Sequence, residues 1–287
     1  CSSDLEIAQF CMSLSEIDAT AVWVALDNMN MFTHGRNNYD LDVLKPVLIH
    51  LVLSVSFKKE DKTHHSDSYH WLQSVEQLLL SEGENFALKL CLHLIEQVGS
   101  HDVDYSDLWD YLGVAFYRAF ECHGDHIWAK ISDSFIHGKA IKQYRVMELL
   151  GSDKSYQERA TCIFDLLGHE IVVEWCSDEV GLLLAGHSVS MFIDEGENKV
   201  INPLLVKLIS VYGDNKAFLS EISANFSSRG WSGSLVPYLE ADKALIQPLI
   251  ENESIKVRSW ALSFIEYIDS TIEYEHKRDA EDSVLRG

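Results

Sequence analysis

The chain contains few of the residues that interrupt helices. Only 4 prolines and 15 glycines occur among its 287 residues. Between them, apolar residues recur every three or four positions rather than in alternation, which is typical of amphipathic helices. The sequence therefore predicts an all-α protein. With 47% hydrophobic and 10% aromatic residues, it also has enough apolar surface for a buried core.

Positive charge is scarce as well. Lysine and arginine number 23 against 45 aspartates and glutamates, which gives a formal charge of −22 that is spread along the chain. A field of that sign repels phosphate backbones and anionic lipid surfaces, whose binding depends on cationic side chains. The composition therefore predicts neither nucleic-acid binding nor membrane adhesion.

Long apolar runs and a secretory leader are also missing. The strongest apolar segment, Val43 to Ser56, contains Lys45 and Pro46 and is too short to cross a bilayer. The first twenty residues carry four acidic side chains and no basic n-region. The chain begins with Cys1 rather than methionine, and we interpret it as a piece of a longer polypeptide or assembly.

The cysteines show neither a C-x-x-C pair nor a short regular spacing, and several lie in apolar helical patterns. Free thiols in such positions behave as small hydrophobic side chains. This usage predicts a reduced, cytoplasmic protein without a structural metal or cofactor. The six residues are Cys1, Cys11, Cys91, Cys122, Cys162 and Cys176.

Apolar periodicity, together with candidate caps, divides the chain into successive helices. The helix predicted from the capping-box spacing of Ser3 and Glu6 comes first. The later predicted helices cover 20–32, 41–55, 69–80, 84–98, 106–121, 126–136, 139–150, 156–176, 178–192, 199–212, 216–226, 235–251 and 255–278.

The stretch from Ala244 to Ile268 carries the most specific pattern. Its first helix would be bent by Pro248, and a polar turn from Glu251 to Ser254 would lead into a second helix that opens with Val257 and Arg258. This arrangement resembles a HEAT repeat. The resemblance implies an irregular α-solenoid of stacked antiparallel helix pairs, because such pairs bury their apolar faces only against one another.

Two other segments, 76–95 and 146–167, share the pattern of an apolar helix end, a short polar turn and a second apolar helix. A weaker copy covers 204–219. We predict two regions: residues 1–140 form repeats or a helical bundle, and residues 141–287 form HEAT-like repeats that end in a charged helix.

The loop from Ser227 to Leu239 has an unusual composition, with two glycines around Trp231 and an arginine before them. Trp, Tyr and Arg dominate protein-interface hot spots, so Arg229, Trp231 and Tyr238 are candidate partner-binding residues. The alternative is that Trp231 is buried between two helix pairs. This loop and the following pair, residues 220–280, also resemble the C-terminal regions of large bacterial NTPases and related antiphage-defence proteins.

Two patterns point to enzymatic chemistry. Gly186-His-Ser188-Val-Ser190 resembles the nucleophile elbow of serine hydrolases but lacks its last glycine and a surrounding parallel sheet, so a glycine-containing helix junction is the simpler interpretation. The cluster from His64 to His70 has metal-ligand spacing, which a polar loop entering a helix also explains. The segment from Cys122 to His126 also contains possible metal ligands at such a spacing. There Gly124 and Asp125 instead predict the end of one helix and the start of the next.

These observations favour a noncatalytic helical-repeat scaffold that binds another protein, such as the recognition arm of a larger bacterial defence NTPase. Binding would use contact area, shape and negative potential. The alternative is a hydrolase or metal-dependent enzyme that uses Ser188 or the His64–His70 cluster.

Overall fold

The chain forms two compact units, Cys1–Leu150 and Gly151–Gly287. The structure, a computed structural model, describes residues 2–33, 40–62, 67–99, 103, 107–137, 145–146, 149–150, 162–227 and 230–286. Twelve α-helices lie in this described part, so the prediction of a mostly helical protein is confirmed.

Unit 1 is mostly helical in its described segments, and the stretch after α3 is not: there Lys58 forms an isolated antiparallel bridge with Val103. Helix α2 packs against α1, α3 and α4, and α5 packs against α6. The elements are α1 (Ser2–Ser15), α2 (Ala19–Thr33), α3 (Leu41–Val52), α4 (Asp67–Ser81), α5 (Glu84–Val98), a π-helical turn (Leu108–Leu112) and α6 (Gly113–Ile136).

Three aromatic side chains form the centre of unit 1. The Phe57 ring lies edge-on to both Trp23 and Trp71, with centroids 5.3 and 4.8 Å away, and all three side chains are buried. Both indoles also donate hydrogen bonds, from Trp23 Nε1 to the Ser56 carbonyl and from Trp71 Nε1 to the Val52 carbonyl. The aromatic rings therefore fix the segment after α3 against α2 and α4 without leaving a buried donor unpaired.

The helix break predicted around Gly124 is confirmed, with the break at the neighbouring His123. The span of α6 consists of two helical stretches that meet at His123, whose backbone leaves the helical region with φ −145° and ψ 31°. Buried side chains lie on both sides of the break, Phe120 and Ile127 among them. Helix α6 is therefore kinked at the predicted place rather than continuous.

Unit 2 contains the remaining helices and a two-stranded sheet. Helix α8 packs against α10, and α12 packs against α9 and α11. The elements are a 3₁₀ turn (Ile163–Leu166), α7 (His169–Trp175), α8 (Glu179–Ser188), β1 (Phe192–Glu195), β2 (Asn198–Ile201), α9 (Pro203–Tyr212), α10 (Lys216–Ser227), α11 (Val236–Ile246), a 3₁₀ turn (Gln247–Glu251) and α12 (Ile255–Arg286).

The β-hairpin corrects the prediction that helices extend over 178–192 and 199–212. Strands β1 and β2 pair antiparallel, with Glu195 opposite Asn198, so Gly196 and Glu197 form a two-residue turn. Gly196 has φ 64°, and among the described residues no side-chain-bearing residue has positive φ. Positive φ at the first turn position only is the pattern of a type II′ hairpin turn, which requires glycine there.

The described part of the predicted 156–176 helix is not one continuous helix, and the start of that prediction lies outside the described residues. Residues 163–166 form a 3₁₀ turn, and α7 begins only at His169. The carboxylate of Asp165 accepts the backbone N–H of Cys162, and its other oxygen accepts from Asn202 Nδ2 at 2.8 Å. The Asp165 side chain therefore holds a turn where the apolar pattern predicted a continuous helix.

The hairpin is attached to α11 by a charged contact. Asp242 is only 2% exposed, and its carboxylate lies 3.0 Å from Lys199 Nζ on β2. The same ammonium group lies 4.5 Å from the centre of the Phe192 ring. Lys199 thus bridges the strand pair and the buried carboxylate of the helix.

The segment predicted as the last helix pair forms two helical elements joined by a turn. Helix α11 is followed by the 3₁₀ turn that contains Pro248, and α12 begins at Ile255. Arg258 Nη1 donates to the carbonyls of Asn252 and Glu253 at 2.6 and 2.9 Å. The arginine that the sequence pattern singles out therefore closes the turn between the two elements.

Candidate functional site

Trp231 and Tyr238 lie on the surface of unit 2, with exposed fractions of 44% and 47%. Arg229 lies outside the described residues. The alternative interpretation was that Trp231 is buried between two helix pairs. It is wrong, because almost half of this large side chain is open to solvent. Tyr238 belongs to the first turn of α11.

Contacts with the C-terminal half of α12 hold the Trp231 loop in place. The guanidinium carbon of Arg278 lies 5.9 Å from the centre of the Trp231 ring. Ser234 Oγ donates to Asp279 Oδ2 at 2.5 Å. Arg278 is held in turn by an ion pair with the buried carboxylate of Glu275. We name the surface made by Trp231 and Arg278 the Trp231 surface.

A second feature of unit 2 is a groove of about 530 Å³ between α10 and α12. Trp260 and Phe264 stack on each other in it, with centroids 5.2 Å apart. Its lining, which we call the α10–α12 groove, comprises Gly213, Asp214, Leu219, Ser223, Ile255, Lys256, Ser259, Trp260, Ser263, Phe264 and Tyr267. Sequence reasoning missed this groove.

Ser188, the candidate nucleophile, is placed unfavourably for hydrolysis. It is the last residue of α8 and only 1% exposed, and its hydroxyl has no partner within the described part of the chain. A nucleophile elbow needs a strand that enters a helix, whereas here a helix precedes a strand. The preceding Gly186 instead lies against α10, where an added Cβ would come within 2.9 Å of Phe218 Cδ2.

The His64–His70 cluster is only partly described, because His64 and His65 lie outside the described residues. Asp67 is buried at the start of α4, and His70 Nδ1 lies 3.1 Å from Asp27 Oδ1 on α2. Within the described ranges no group of three or more His, Cys, Asp or Glu side chains is placed to hold a metal ion. His126, in the second candidate segment, lies 3.5 Å from Glu84.

Burial separates the described cysteines into two kinds. Cys122 is exposed, whereas Cys11, Cys91, Cys162 and Cys176 are buried. Burial raises the pKa of Cys11 to about 11 and that of Cys176 to about 12. These buried thiols stay protonated at neutral pH and are poor nucleophiles.

His93 on α5 is a half-buried histidine that should make stability depend on pH. Burial lowers the pKa of His93 from its ordinary value of 6.5, against the opposing effects of Glu96 and a hydrogen bond with the Val55 backbone. Between 6.5 and the lowered pKa of folded His93, the unfolded chain binds a proton that the folded chain does not, so stability falls as pH falls through this window.

We therefore expect His93→Gln to flatten the dependence of unfolding free energy on pH below neutrality. The maximum change for one proton is about 1.4 kcal/mol per pH unit. Urea unfolding followed by circular dichroism at a series of pH values measures this slope. His50→Gln, at an exposed position of α3, removes a histidine without disturbing buried packing and is the matched comparison. Identical slopes in wild type and His93→Gln would contradict the assignment.

The chain matches no protein-family model, no curated protein and no solved structure. None of the helices in the described ranges combines the length and the apolar character needed to cross a membrane. Fold and site together define a predominantly α-helical protein with an exposed, fixed aromatic side chain and a separate groove in its second unit.

Proposed function

We propose that this chain is a noncatalytic helical-repeat scaffold that binds another protein through the Trp231 surface. The observation that carries the proposal is the placement of Trp231, which is half exposed and lies against the guanidinium group of Arg278. An aromatic side chain held in place before binding loses little conformational freedom when a partner covers it. Trp, Tyr and Arg are also the residues most enriched among interface hot spots.

The helix pairs, in this proposal, stack as an irregular HEAT-like α-solenoid. The pattern of Ala244 to Ile268 supports it, together with the role of Arg258 in closing the turn between α11 and α12. The resemblance of residues 220–280 to C-terminal regions of large bacterial defence NTPases extends the proposal to a recognition arm within a larger protein.

Charge indicates the chemistry of the partner. Residues 151–287 contain 12 lysines and arginines against 23 aspartates and glutamates, a net charge of −11. Near Trp231, Arg278 is already paired with Glu275, and Asp279 adds a further carboxylate. A partner segment with exposed arginine or lysine would gain from this field and from contact with the open part of the Trp231 ring.

Trp231→Ala is expected to weaken partner binding at least about tenfold, which corresponds to about 1.4 kcal/mol. The fold should remain, because the side chain is half exposed. The measurement starts with extracts of the native host. Proteins that wild type retains and the variant loses would be purified and then titrated against both by calorimetry. The same titration should show weaker binding at higher salt.

Leu80→Ala is the matched control, since Leu80 is an exposed apolar residue of unit 1, with 88% of its surface open. This variant should bind as wild type does. If Trp231→Ala keeps full affinity while its melting temperature drops, Trp231 stabilises the fold and the proposal for this surface fails.

A further inference from the structure

The C-terminal half of α12 carries a short sequence repeat with exposed aromatic residues. The tripeptide Ile-Glu-Tyr occurs at 265–267 and again, seven residues later, at 272–274. Tyr267 and Tyr274 are 43% and 65% exposed, which are large fractions for aromatic side chains. Seven residues make almost two helical turns, so both rings lie on the same face of α12, about 10.5 Å apart along its axis.

Two small side chains lie between these tyrosines. With Tyr267 as position i, Ser270 and Thr271 are i+3 and i+4, and Tyr274 is i+7. In coiled-coil packing, four residues at this spacing form the hole that receives one side chain of a facing helix. The hydroxyls of Ser270 and Thr271 already bond to carbonyls of the previous turn at 2.9 Å, so an apolar side chain can cover them. We call these four residues the α12 hole.

Carboxylates flank the α12 hole. Glu266 and Glu273 each precede one of the tyrosines, are exposed and form no ion pair within the described part of the chain. With the tyrosines at heptad position a, these glutamates are at g, from which side chains reach charged residues of a facing helix. Residues 266–279 carry five carboxylates against two cations, Lys277 and Arg278. A helix with lysine or arginine is therefore complementary, whereas a second copy of α12 would add the same excess of carboxylates.

The α12 hole adjoins the Trp231 surface. Arg278, which lies against the Trp231 ring, follows Tyr274 by four residues, about 6 Å further along the same side of the helix. At the other end, the Tyr267 hydroxyl lies 3.0 Å from that of Ser227, just before the loop that carries Trp231. A helix that fills the hole therefore comes within reach of Trp231 one turn further on.

We infer that a short amphipathic helix of the protein partner packs into the α12 hole, with one large apolar side chain in the hole and lysine or arginine beside it. This inference rests on the proposed function, because it describes the part of the same partner that lies next to Trp231. It adds the structure and the charge of that part.

A synthetic peptide serves as the probe for this helix. It is a labelled helical peptide of about 20 residues, made of alanine and lysine with leucine at heptad positions a and d. A second peptide of the same composition scatters the leucines around the helix, and a third replaces lysine by glutamate. Fluorescence anisotropy should give a dissociation constant on the order of 10 to 100 μM for the first peptide, because the contact is small. The other two should bind at least about tenfold more weakly.

Two variants test whether the first peptide binds in the hole. Ser270→Leu fills the hole and Tyr274→Ala removes one of its walls, and each should weaken binding at least about tenfold while the melting temperature stays unchanged. The matched controls are Ser220→Leu, at an exposed position of α10, and Tyr69→Ala, at a tyrosine of α4 that is 51% exposed. Both controls should bind the peptide as wild type does.

Trp231→Ala separates this inference from the proposed function. If Trp231→Ala alone weakens peptide binding, the inference fails and the proposed role of Trp231 stands. If Ser270→Leu and Tyr274→Ala weaken it and Trp231→Ala does not, the hole binds the helix and the role of Trp231 fails. The inference is also overturned if the patterned and scattered peptides bind alike, or if sedimentation shows self-association of the protein that Tyr274→Ala abolishes.

Discussion

Phe57→Ala is expected to lower the free energy of unfolding by about 3–5 kcal/mol, the range for removing a fully buried phenylalanine side chain. Phe57 contacts both Trp23 and Trp71 edge-on, so the change removes two aromatic contacts and leaves a cavity between two large rings. Neither indole is free to move into that cavity without giving up its hydrogen bond to a backbone carbonyl.

Urea unfolding followed by circular dichroism measures the loss. Leu80→Ala removes apolar side-chain atoms from an exposed position and should change stability by no more than about 0.5 kcal/mol. A loss below about 1 kcal/mol for Phe57→Ala would mean that the three rings are not packed as described.

Asp107→Ala is expected to cost about 3–5 kcal/mol, the range for breaking a buried ion pair from one side. Asp107 is 3% exposed, and its carboxylate pairs with Lys62 and accepts from Ser68 Oγ at 2.8 Å. The Lys62 side chain is itself only 12% exposed. Without Asp107, the buried ammonium group of Lys62 and the fully buried hydroxyl group of Ser68 both lose their partner.

Glu76→Gln provides the comparison, because Glu76 and Arg118 form an exposed pair at 3.8 Å. Exposed pairs contribute about 0–1 kcal/mol and are screened by salt. The Asp107→Ala loss should therefore be several times larger and nearly independent of salt. Similar losses for the two variants would show that Lys62 finds water or another partner.

Local signals were enough to locate several helices. The predicted helix over 84–98 coincides with α5, and that over 216–226 ends one residue before α10 does. In α5, apolar residues recur at helical spacing and Gly83 and Gly99 flank the helix on both sides. Where periodicity and breakers agree, neighbouring residues alone decide the structure.

The hairpin and the end of α12 were missed for different reasons. Residues 192–201 contain Gly196, but the apolar residues on either side of it also fit a helical period and mask the turn between them. Helix α12 was predicted to end at 278 and continues to Arg286. Just past the predicted end, Asp279 accepts a hydrogen bond from Ser234, which is distant in sequence, and apolar periodicity does not report such a contact.

The two candidate surfaces were predictable to different degrees. Trp231 stood out by composition, although its exposure and its contact with Arg278 depend on how the loop meets α12. The groove depends on the separation of α10 and α12, which no local pattern encodes. The sequence indicates the groove only in one respect: Ser259 and Ser263 are small residues that lie in one row of α12 between the larger Ile255 and Tyr267.

Helix α12 is shared by the Trp231 surface and the α10–α12 groove. Trp260 and Arg278 lie on this single helix, 18 residues apart, which corresponds to about 27 Å at 1.5 Å per residue. Because one helix carries both, a change in its bend would alter the groove and the support of Trp231 together.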